Sequence, residues 1–555
     1  MQATTSRTSR RSRTRLVIAT AALAALVTVS GCTGEPTMTA APSPAVGGSD
    51  EASGPMALTR EQVDAALPKI PGIVEAAMEA SGVPGVSVAI VHEDQAVFAE
   101  GFGVRELGTD QVVDADTVFS LASLSKPVSS SVVASAVGDG VIAWDDPIVE
   151  HNPDLQLADP WVTEHVTFED LYAHRSGLPG GAGDALENMG YDRDEVIRRL
   201  RFIEPGEFGD FRNSYAYTNF GMTIAGDAAA KADGTTFAEM AEARVFGPAG
   251  MDSTTASRDV LAGRENRALF HARVGDEWVP DFANEGRVEA GVPAPTTWPD
   301  AQAPAGGVSS TANDMARWMR LSLGEGTLDG TEIIDAAALG TTHVPQIRNQ
   351  PPTAPVSDPA SFYGLGWGVT VDRFNSVHWQ HSGAFTLGAA TTVALMPNQQ
   401  LGVIVLTNGS PIGLPEAIVD EILDTLFFGE PTQDWVSFWA ERFSQLFAPD
   451  PTLETPPADP APEQPAEAYT GTYANDFYGA FEVAERDGNL VVIEGPARNT
   501  FTLEHWDANT FVYNSDPELA GLKTRATFVV GPDGRATTLT IDDLDSYGTG
   551  TLTRV

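Results

Sequence analysis

The chain has 555 residues and a formal net charge of −43, because 76 acidic residues outnumber 33 lysines and arginines. Its length is sufficient for two or more domains that each bury a core. The strong negative charge argues against nucleic-acid partners and against electrostatic attachment to anionic lipid. The nine histidines follow no metal-ligand spacing, and no glycine-rich loop has the pattern that cradles phosphate. The sequence therefore predicts neither a metal nor another cofactor.

The N-terminus has the pattern of an export signal. Several arginines precede an apolar run, Leu16–Val29, which is too short to span a bilayer stably and suits a secretory signal. The run is followed by Ser-Gly-Cys32, which resembles the bacterial lipoprotein signal, in which the cysteine is lipidated and becomes the mature N-terminus. Cys32 is the only cysteine, so no internal disulfide is available.

We therefore expect a signal peptide over residues 1–31, lipidation at Cys32 and an extracytoplasmic location on the cell membrane. An ordinary secretory signal with a chance cysteine is the alternative. The Arg10-Arg11 pair leaves the choice between Sec and Tat export open. Residues 32–57 are rich in Pro, Ser, Gly, Ala and Thr, a composition that predicts a flexible tether.

A larger body is expected over residues 58–430. Its first helix opens at Thr59 and Gln62, which fit a capping box, continues to about Ala80 with Pro68 and Pro71 as candidate points of interruption, and ends at Gly82. A hairpin of strands around Glu93-Asp94 follows, and then a helix-rich middle. The later segments predict four antiparallel strands and a closing helix, at Tyr363–Val369, Val377–His381, Thr391–Met396, Gly402–Thr407 and Pro415–Phe428. Strands at both ends with helices between predict an α+β fold whose terminal segments complete one sheet.

The C-terminal part has a different character. Residues 431–466 combine an amphipathic helix with a Pro/Glu/Asp linker. We expect the helix to pack on the body, with contact to a membrane or a partner as the alternative. Residues 467–555 contain short alternating runs separated by turn signals, which predict a small antiparallel β-barrel or sandwich.

The segment Ser123-Leu-Ser-Lys126 places a hydroxyl and an amine one helical turn apart at a helix start. Pro127 supports this placement, because proline is tolerated in the first turn of a helix. An adjacent base makes a serine hydroxyl a useful nucleophile. On this tetrapeptide alone, however, an N-cap serine followed by an exposed lysine is the better supported interpretation.

Two later segments reverse that judgement. Tyr217-Thr-Asn219 supplies a phenol that we expect to act as general base or acid, with its pKa lowered by the Lys126 ammonium. The Asn219 side-chain amide is suited to hold Lys126 or a substrate amide. In His381-Ser-Gly383, at a strand edge, the glycine is expected to let substrate approach closely. His381 either offers a donor to the far end of the substrate or has a structural role.

In this order and at these separations, the three motifs resemble the serine β-lactamase and penicillin-binding-protein superfamily. The resemblance is strongest to its class C-like branch of secreted esterases and D-amino-acid peptidases, and it covers roughly residues 60–430. It extends to three further segments, His174-Arg-Ser-Gly-Leu-Pro179, Phe246-Gly-Pro-Ala-Gly-Met251 and Ala305-Gly-Gly307. The implied fold is β-lactamase-like, with an antiparallel sheet flanked by helices and an all-helical region.

The resemblance implies a role for each motif residue. Ser123 would be the acylated nucleophile, with Lys126 and Tyr217 sharing the acid/base work and Asn219 contacting substrate. The backbone N–H groups of Ser123 and Ala384 would form the oxyanion hole.

His381 stands where classical members have lysine. Histidine is mostly neutral at pH 7, which favours esters or small peptides over β-lactams. The segment with Tyr469-Thr-Gly-Thr-Tyr473 and His505-Trp506 resembles the lipocalin-like barrel that follows this hydrolase domain in some relatives. Tyr473 belongs to a second Tyr-x-Asn pattern, and we expect it to be an edge-strand residue of that barrel.

The sequence thus predicts a membrane-tethered serine hydrolase that acts through an acyl-enzyme on esters or small D-amino-acid-containing peptides, with cell-wall fragments as candidate partners. A non-catalytic cell-wall peptide-binding or sensing lipoprotein is the alternative, and a weak β-lactamase is the lesser one. Oligomeric state stays open.

Overall fold

The computed structural model describes residues 55–204, 210–280, 300–350, 360–514 and 522–555. The expected signal peptide, Cys32 and nearly all of the expected tether lie outside the described residues. Within these described ranges, no helix is both long and apolar enough to cross a membrane. The helices, in chain order, are α1 (Arg60–Ala66), α2 (Ile70–Ser81), α3 (Ser125–Gly138), α4 (Pro160–His165), α5 (Phe168–Tyr172), α6 (Asp184–Asn188), α7 (Arg193–Arg199), α8 (Asn219–Ala232), α9 (Phe237–Ala241), α10 (Gly247–Ala249), α11 (Arg258–Ala262), α12 (Ala303–Gly306), α13 (Ala312–Leu323), α14 (Ala336–Thr342), α15 (Leu414–Phe428) and α16 (Trp435–Leu446).

The strands fall into a body group and a C-terminal group. The body strands are β1 (Gly85–His92), β2 (Gln95–Gly103), β3 (Phe119–Ser120), β4 (His271–Val274), β5 (Glu277–Pro280), β6 (Ser309–Ser310), β7 (Thr327–Leu328), β8 (Thr331–Glu332), β9 (Ile347–Arg348), β10 (Ser361–Tyr363), β11 (Gly368–Val371), β12 (Val377–Phe385), β13 (Ala389–Met396) and β14 (Leu401–Thr407). The C-terminal strands are β15 (Gly471–Asn475), β16 (Gly479–Arg486), β17 (Asn489–Glu494), β18 (Asn499–Thr502), β19 (Glu504–Asp507), β20 (Thr510–Tyr513), β21 (Thr524–Val530), β22 (Ala536–Ile541) and β23 (Thr551–Arg554).

The main sheet of the body is antiparallel, with the strand order β2-β1-β14-β13-β12-β11-β10-β9. Strand β1, from the N-terminal hairpin, pairs with β14 from the far end of the body. The prediction that the terminal segments complete one sheet is therefore confirmed. Strands β1, β13 and β14 are buried along their whole length, because α2 and α15 pack on one face of the sheet and α13 on the other.

Several local predictions are confirmed by the structure. Thr59 and Gln62 exchange the hydrogen bonds of a capping box, and Gly82 ends α2 in the left-handed conformation. Glu93 and Asp94 form the turn between β1 and β2 with φ of 50° and 59°, as a tight hairpin requires. Helix α16 buries Trp439 and two other aromatic side chains in a cluster with α15, so it packs on the body.

One expected strand is interrupted. The structure divides Tyr363–Val369 into the end of β10 and the start of β11, with a turn at 364–367 between them. Gly366 adopts φ of 83°, and a side chain there would lie 2.8 Å from the Lys126 carbonyl oxygen. The turn is therefore shaped by its close packing against α3.

The nine C-terminal strands form a nearly closed, barrel-like antiparallel sheet in the order β18-β17-β16-β15-β23-β22-β21-β20-β19. Aromatic side chains such as Tyr469, Phe511 and Phe528 fill its interior. The edge-strand interpretation of Tyr473 is wrong, because β23 returns to pair with β15 on the side opposite β16. Its side chain is buried in the barrel interior.

The barrel contacts the body at α6, α7 and the segment before them. The Tyr191 hydroxyl donates to the Tyr478 carbonyl at 2.9 Å, and the Asn499 amide donates to the Asn188 carbonyl at 2.9 Å. The Tyr547 hydroxyl donates to the Gly180 carbonyl. These bonds place one end of the barrel beside the segment that leads into α6.

Candidate active site

Ser123 lies in a single 3₁₀ turn that leads directly into α3. The preceding residue, Ala122, is buried and has φ of 48°, a left-handed conformation that is costly for alanine. The Ser123 side chain itself is only half-buried. The turn therefore holds a reachable hydroxyl on a constrained backbone.

Lys126 is completely buried, one helical turn after Ser123. Its Nζ lies 3.0 Å from Ser123 Oγ, 2.8 Å from Asn219 Oδ1 and 2.9 Å from the Ala305 carbonyl oxygen. Burial lowers the pKa of Lys126 to about 7, and Asp184 opposes that shift. The exposed lysine expected from the tetrapeptide alone is wrong, because helices α8 and α12 enclose the amine.

Asn219 is the first residue of α8 and is also buried. While its Oδ1 accepts from Lys126, its Nδ2 faces both carboxylate oxygens of Asp184, at 3.2 and 3.3 Å. Burial raises the pKa of Asp184 to about 7, and the hydrogen bond from Asn219 and the charge of Lys126 oppose that rise. An amide thus links the two titratable groups.

Tyr217 lies beside this amine, with the Lys126 Nζ 4.6 Å from the centre of its ring. Its hydroxyl is buried and receives no hydrogen bond of standard geometry from the described residues. Burial raises the pKa of Tyr217, and the neighbouring Ser123 hydroxyl opposes the rise. The expectation of a pKa lowered by the ammonium is therefore wrong, since the cost of burying a phenolate dominates.

His381 is buried in β12 with both ring nitrogens engaged. Its Nδ1 lies 2.6 Å from the Ser382 carbonyl oxygen, which only accepts, so Nδ1 carries the proton. Its Nε2 consequently accepts from the Tyr363 hydroxyl at 2.9 Å. Burial, with a smaller effect of Lys126, lowers the pKa of His381 to about 3, so the ring is neutral at pH 7. His174 packs against the rings of Tyr217 and Tyr363.

The edge of β12 runs past the nucleophile turn. Strand β12 pairs with β11 only as far as Gln380, so residues 381–385 have β13 as their one strand partner among the described residues. A side chain at Gly383 would lie 2.1 Å from the Leu121 carbonyl oxygen. The glycine therefore makes room for the Ser123 turn, and the expectation that it also lets substrate approach stays a prediction. The next residue, Ala384, lies on the same open edge, and its role in an oxyanion hole stays a prediction.

The structure therefore brings Ser123, Lys126, Tyr217 and Asn219 together, and His381 borders them. Sequence reasoning missed Asp184, which carried no motif signal, and Tyr363. The Ala305 carbonyl and His174 belong to segments that carried the resemblance, but neither was assigned a role. Across the ranges that the structure describes, no group of three or more potential ligands could hold a metal ion.

Comparisons with known proteins identify the family of this chain. A Beta-lactamase family model matches residues 70–425, and a domain of unknown function (DUF3471) matches residues 455–550. Unguisins hydrolase ungD of Aspergillus violaceofuscus is 27% identical, over 81% of this chain and 83% of that protein. The D-alanyl-D-alanine-carboxypeptidase/endopeptidase AmpH of Escherichia coli K12 is 23% identical, over 62% of this chain and 84% of that protein.

A solved structure supports the fold. The octameric penicillin-binding protein homologue from Pyrococcus abyssi superimposes with a TM-score of 0.57 at 19% sequence identity, covering 88% of this chain and all of that one. The lipocalin-like assignment of the C-terminal barrel stays a prediction, because the matching family model carries no such description. Since the first family model spans well over half of the residues, this chain belongs to the Beta-lactamase family.

Proposed function

We propose that this chain is a serine hydrolase that forms an acyl-enzyme on Ser123 and acts on esters or small D-amino-acid-containing peptides. The observation that carries the proposal is the set of partners around the buried Lys126 amine. Besides the Ser123 hydroxyl, both other partners are carbonyl oxygens, which only accept hydrogen bonds.

This arrangement aims the amine at the serine. A neutral amine has two N–H groups and one lone pair, and the carbonyls of Asn219 and Ala305 occupy the two N–H groups. The lone pair is then left facing the Ser123 hydroxyl at 3.0 Å. With a pKa of about 7, about half of the amines are neutral at pH 7, so Lys126 is a competent general base.

In the proposed reaction, Ser123 Oγ attacks the substrate carbonyl carbon while its proton passes to Lys126 Nζ. The oxyanion of the tetrahedral intermediate would accept from the backbone N–H groups of Ser123 and Ala384. On collapse, the bond to the leaving group breaks, and the leaving group takes a proton from Lys126 by way of the Tyr217 hydroxyl. A phenol whose pKa is raised stays protonated and suits this relay. Water then hydrolyses the acyl-enzyme.

The surroundings of His381 support a preference for substrates without a carboxylate at this position. Its ring is neutral, and its acceptor nitrogen already bonds to Tyr363. A fixed cation, which would favour the carboxylate of a β-lactam, is therefore missing from this strand position. The relative named as a D-alanyl-D-alanine-carboxypeptidase/endopeptidase is consistent with D-amino-acid-containing peptides as substrates.

The predicted export signal and Cys32 support an extracytoplasmic enzyme tethered to the membrane by a lipid on that cysteine. Metabolic labelling with radioactive palmitate would show incorporation into the wild type and none into Cys32→Ala. Equal incorporation into the two proteins would contradict the anchor without affecting the proposed chemistry.

Labelling with a fluorescent fluorophosphonate tests the proposed chemistry. We expect the wild type and Ser444→Ala, a variant at an exposed serine of α16, to be labelled equally and Ser123→Ala to remain unlabelled. An unlabelled wild type, or a labelled Ser123→Ala, would refute the assignment. Hydrolysis of p-nitrophenyl esters, D-amino-acid p-nitroanilides and nitrocefin would then rank the substrates, and tight peptide binding without turnover would favour a sensing lipoprotein instead.

A further inference from the structure

Asp184 lies behind the proposed catalytic residues and contacts none of the atoms that would react. It is the first residue of α6, a helix that also contacts the C-terminal barrel. Both of its carboxylate oxygens accept from Asn219 Nδ2. The other end of that amide accepts from Lys126, so the hydrogen-bonded link from Asp184 to the amine runs through Asn219.

The carboxylate selects one of two orientations of the amide. A side-chain amide that flips by 180° exchanges its oxygen and its NH₂ group. In the flipped orientation, Oδ1 would face the Asp184 carboxylate and the NH₂ group would face the N–H groups of Lys126. Because a carboxylate only accepts, its contact with Oδ1 in the flipped amide would be repulsive, and one N–H of Lys126 would lose its acceptor.

We propose that Asp184 is a positioning residue that fixes the Asn219 amide, so that Oδ1 occupies one N–H of Lys126 and the lone pair of the amine faces Ser123. This inference rests on the proposed function, since it concerns the same general base. Without Asp184 the flipped amide is no longer repelled at this end and becomes more populated, and in that orientation it offers Lys126 no acceptor.

The charge of Asp184 also affects the proton equilibrium of Lys126. A carboxylate near an ammonium stabilises the protonated form, so removing the charge lowers the pKa of Lys126. The other titratable groups that face this pair are Tyr217, Tyr547, His174 and His381. Burial raises the pKa of the two tyrosines and lowers that of the two histidines, so these four groups stay neutral near pH 7, whereas Asp184, whose pKa burial raises to about 7, titrates in the same range as Lys126.

The test compares Asp184→Asn with Asp184→Leu in the mature protein. The asparagine keeps an acceptor for Asn219 Nδ2 but removes the charge, whereas leucine removes both. The matched control is Asp372→Asn, a buried carboxylate in the β11–β12 turn that accepts from the backbone of Phe374 and Ser376. The readouts are the rate of fluorophosphonate labelling and of p-nitrophenyl acetate hydrolysis between pH 5 and 9, with thermal unfolding as a check of folding.

We expect Asp184→Leu to lower the labelling rate by about tenfold to a hundredfold. Asp184→Asn should keep most of the wild-type rate and shift the acid limb of the profile downward by about half a pH unit. Asp372→Asn should have the wild-type labelling rate and the wild-type position of the acid limb.

Wild-type behaviour of Asp184→Leu would overturn the inference, as would equal losses in both variants without a shift of the limb, which would indicate a purely structural role. If the leucine variant does not fold, the acid limb of Asp184→Asn tests the inference: a downward shift supports it, and an unshifted limb overturns it. An unlabelled wild type would instead refute the proposed function itself.

Discussion

Two buried polar clusters in the body hold a cation in opposite ways. In the catalytic cluster, Lys126 faces a hydroxyl and two carbonyl oxygens, and Asp184 lies beyond an amide. In the second cluster, Arg373 contacts Asp420 at 2.7 Å and Asp424 at 2.9 Å. The indole N–H groups of Trp435 and Trp439 complete this arginine cluster by donating to the same two carboxylates.

The difference lies in whether the partners carry charge. The carboxylates around Arg373 outweigh the effect of burial and raise its pKa. Around Lys126 the nearest partners are neutral dipoles, so burial dominates and lowers the pKa to about 7. Arg373 pairs directly with carboxylates and holds α15 and α16 against the sheet. Lys126 contacts only neutral acceptors and therefore loses its proton more easily.

The largest expected effect is on catalysis. Lys126→Arg should lower the fluorophosphonate labelling rate by about 10³-fold or more, because a guanidinium keeps its proton and cannot act as a base. Arg373→Lys, the converse exchange in the arginine cluster, should leave the rate within about twofold of wild type. Comparable losses in the two variants, measured as second-order rate constants, would mean that the two clusters do not differ in the proposed way.

A second prediction concerns stability, where the two clusters should respond with opposite signs. Arg373→Met leaves two buried carboxylates without their cation and should lower the free energy of unfolding by about 3–5 kcal/mol. Lys126→Met removes a buried amine that no carboxylate contacts directly, and it should raise the free energy of unfolding by about 1–2 kcal/mol. Residues that serve activity commonly lower the stability of a protein. Chemical denaturation measures both, and a destabilised Lys126→Met would contradict the comparison.

The third prediction is a pH profile. The pKa of Lys126 is lowered, so the active neutral amine gains population as pH rises through about 7. The labelling rate should therefore rise about tenfold per pH unit below that point and level off above it. Arg373 does not titrate in this range. If the labelling rate instead rises only near pH 10, where lysine ordinarily titrates, burial does not lower the pKa of Lys126 as we infer.

The smallest effect should come from the C-terminal barrel, which reaches the catalytic cluster but is not part of it. The Tyr547 hydroxyl donates to the Gly180 carbonyl, and the next N–H, that of Gly181, donates to the Tyr217 carbonyl at 2.8 Å. Tyr547→Phe should lower the labelling rate by about two- to fivefold. In the control Tyr478→Phe, the lost hydroxyl bonds to the Leu544 carbonyl inside the barrel, so stability should fall while the rate does not.

Much of the fold was determined by patterns that the sequence displays locally. The spacing of Ser123 and Lys126 predicts that the two side chains meet at a helix start, where a 3₁₀ turn leads into α3. The Thr59–Gln62 capping box and the Glu93-Asp94 turn depend only on a few neighbouring residues, and the continuous, largely apolar run of β14 marks a strand buried on both faces. The order of the three motifs was sufficient to predict the family and most of the residues that meet at the site.

Only the tertiary structure decided the chemistry around them. Asn219 and the Ala305 carbonyl lie 93 and 179 residues from Lys126 along the chain, and no local pattern marks Asp184. Burial and the charge of neighbours set the pKa of a group, and both depend on how distant segments pack. For this reason the sequence predicted a Tyr217 with a lowered pKa, whereas the folded chain buries it and raises that pKa.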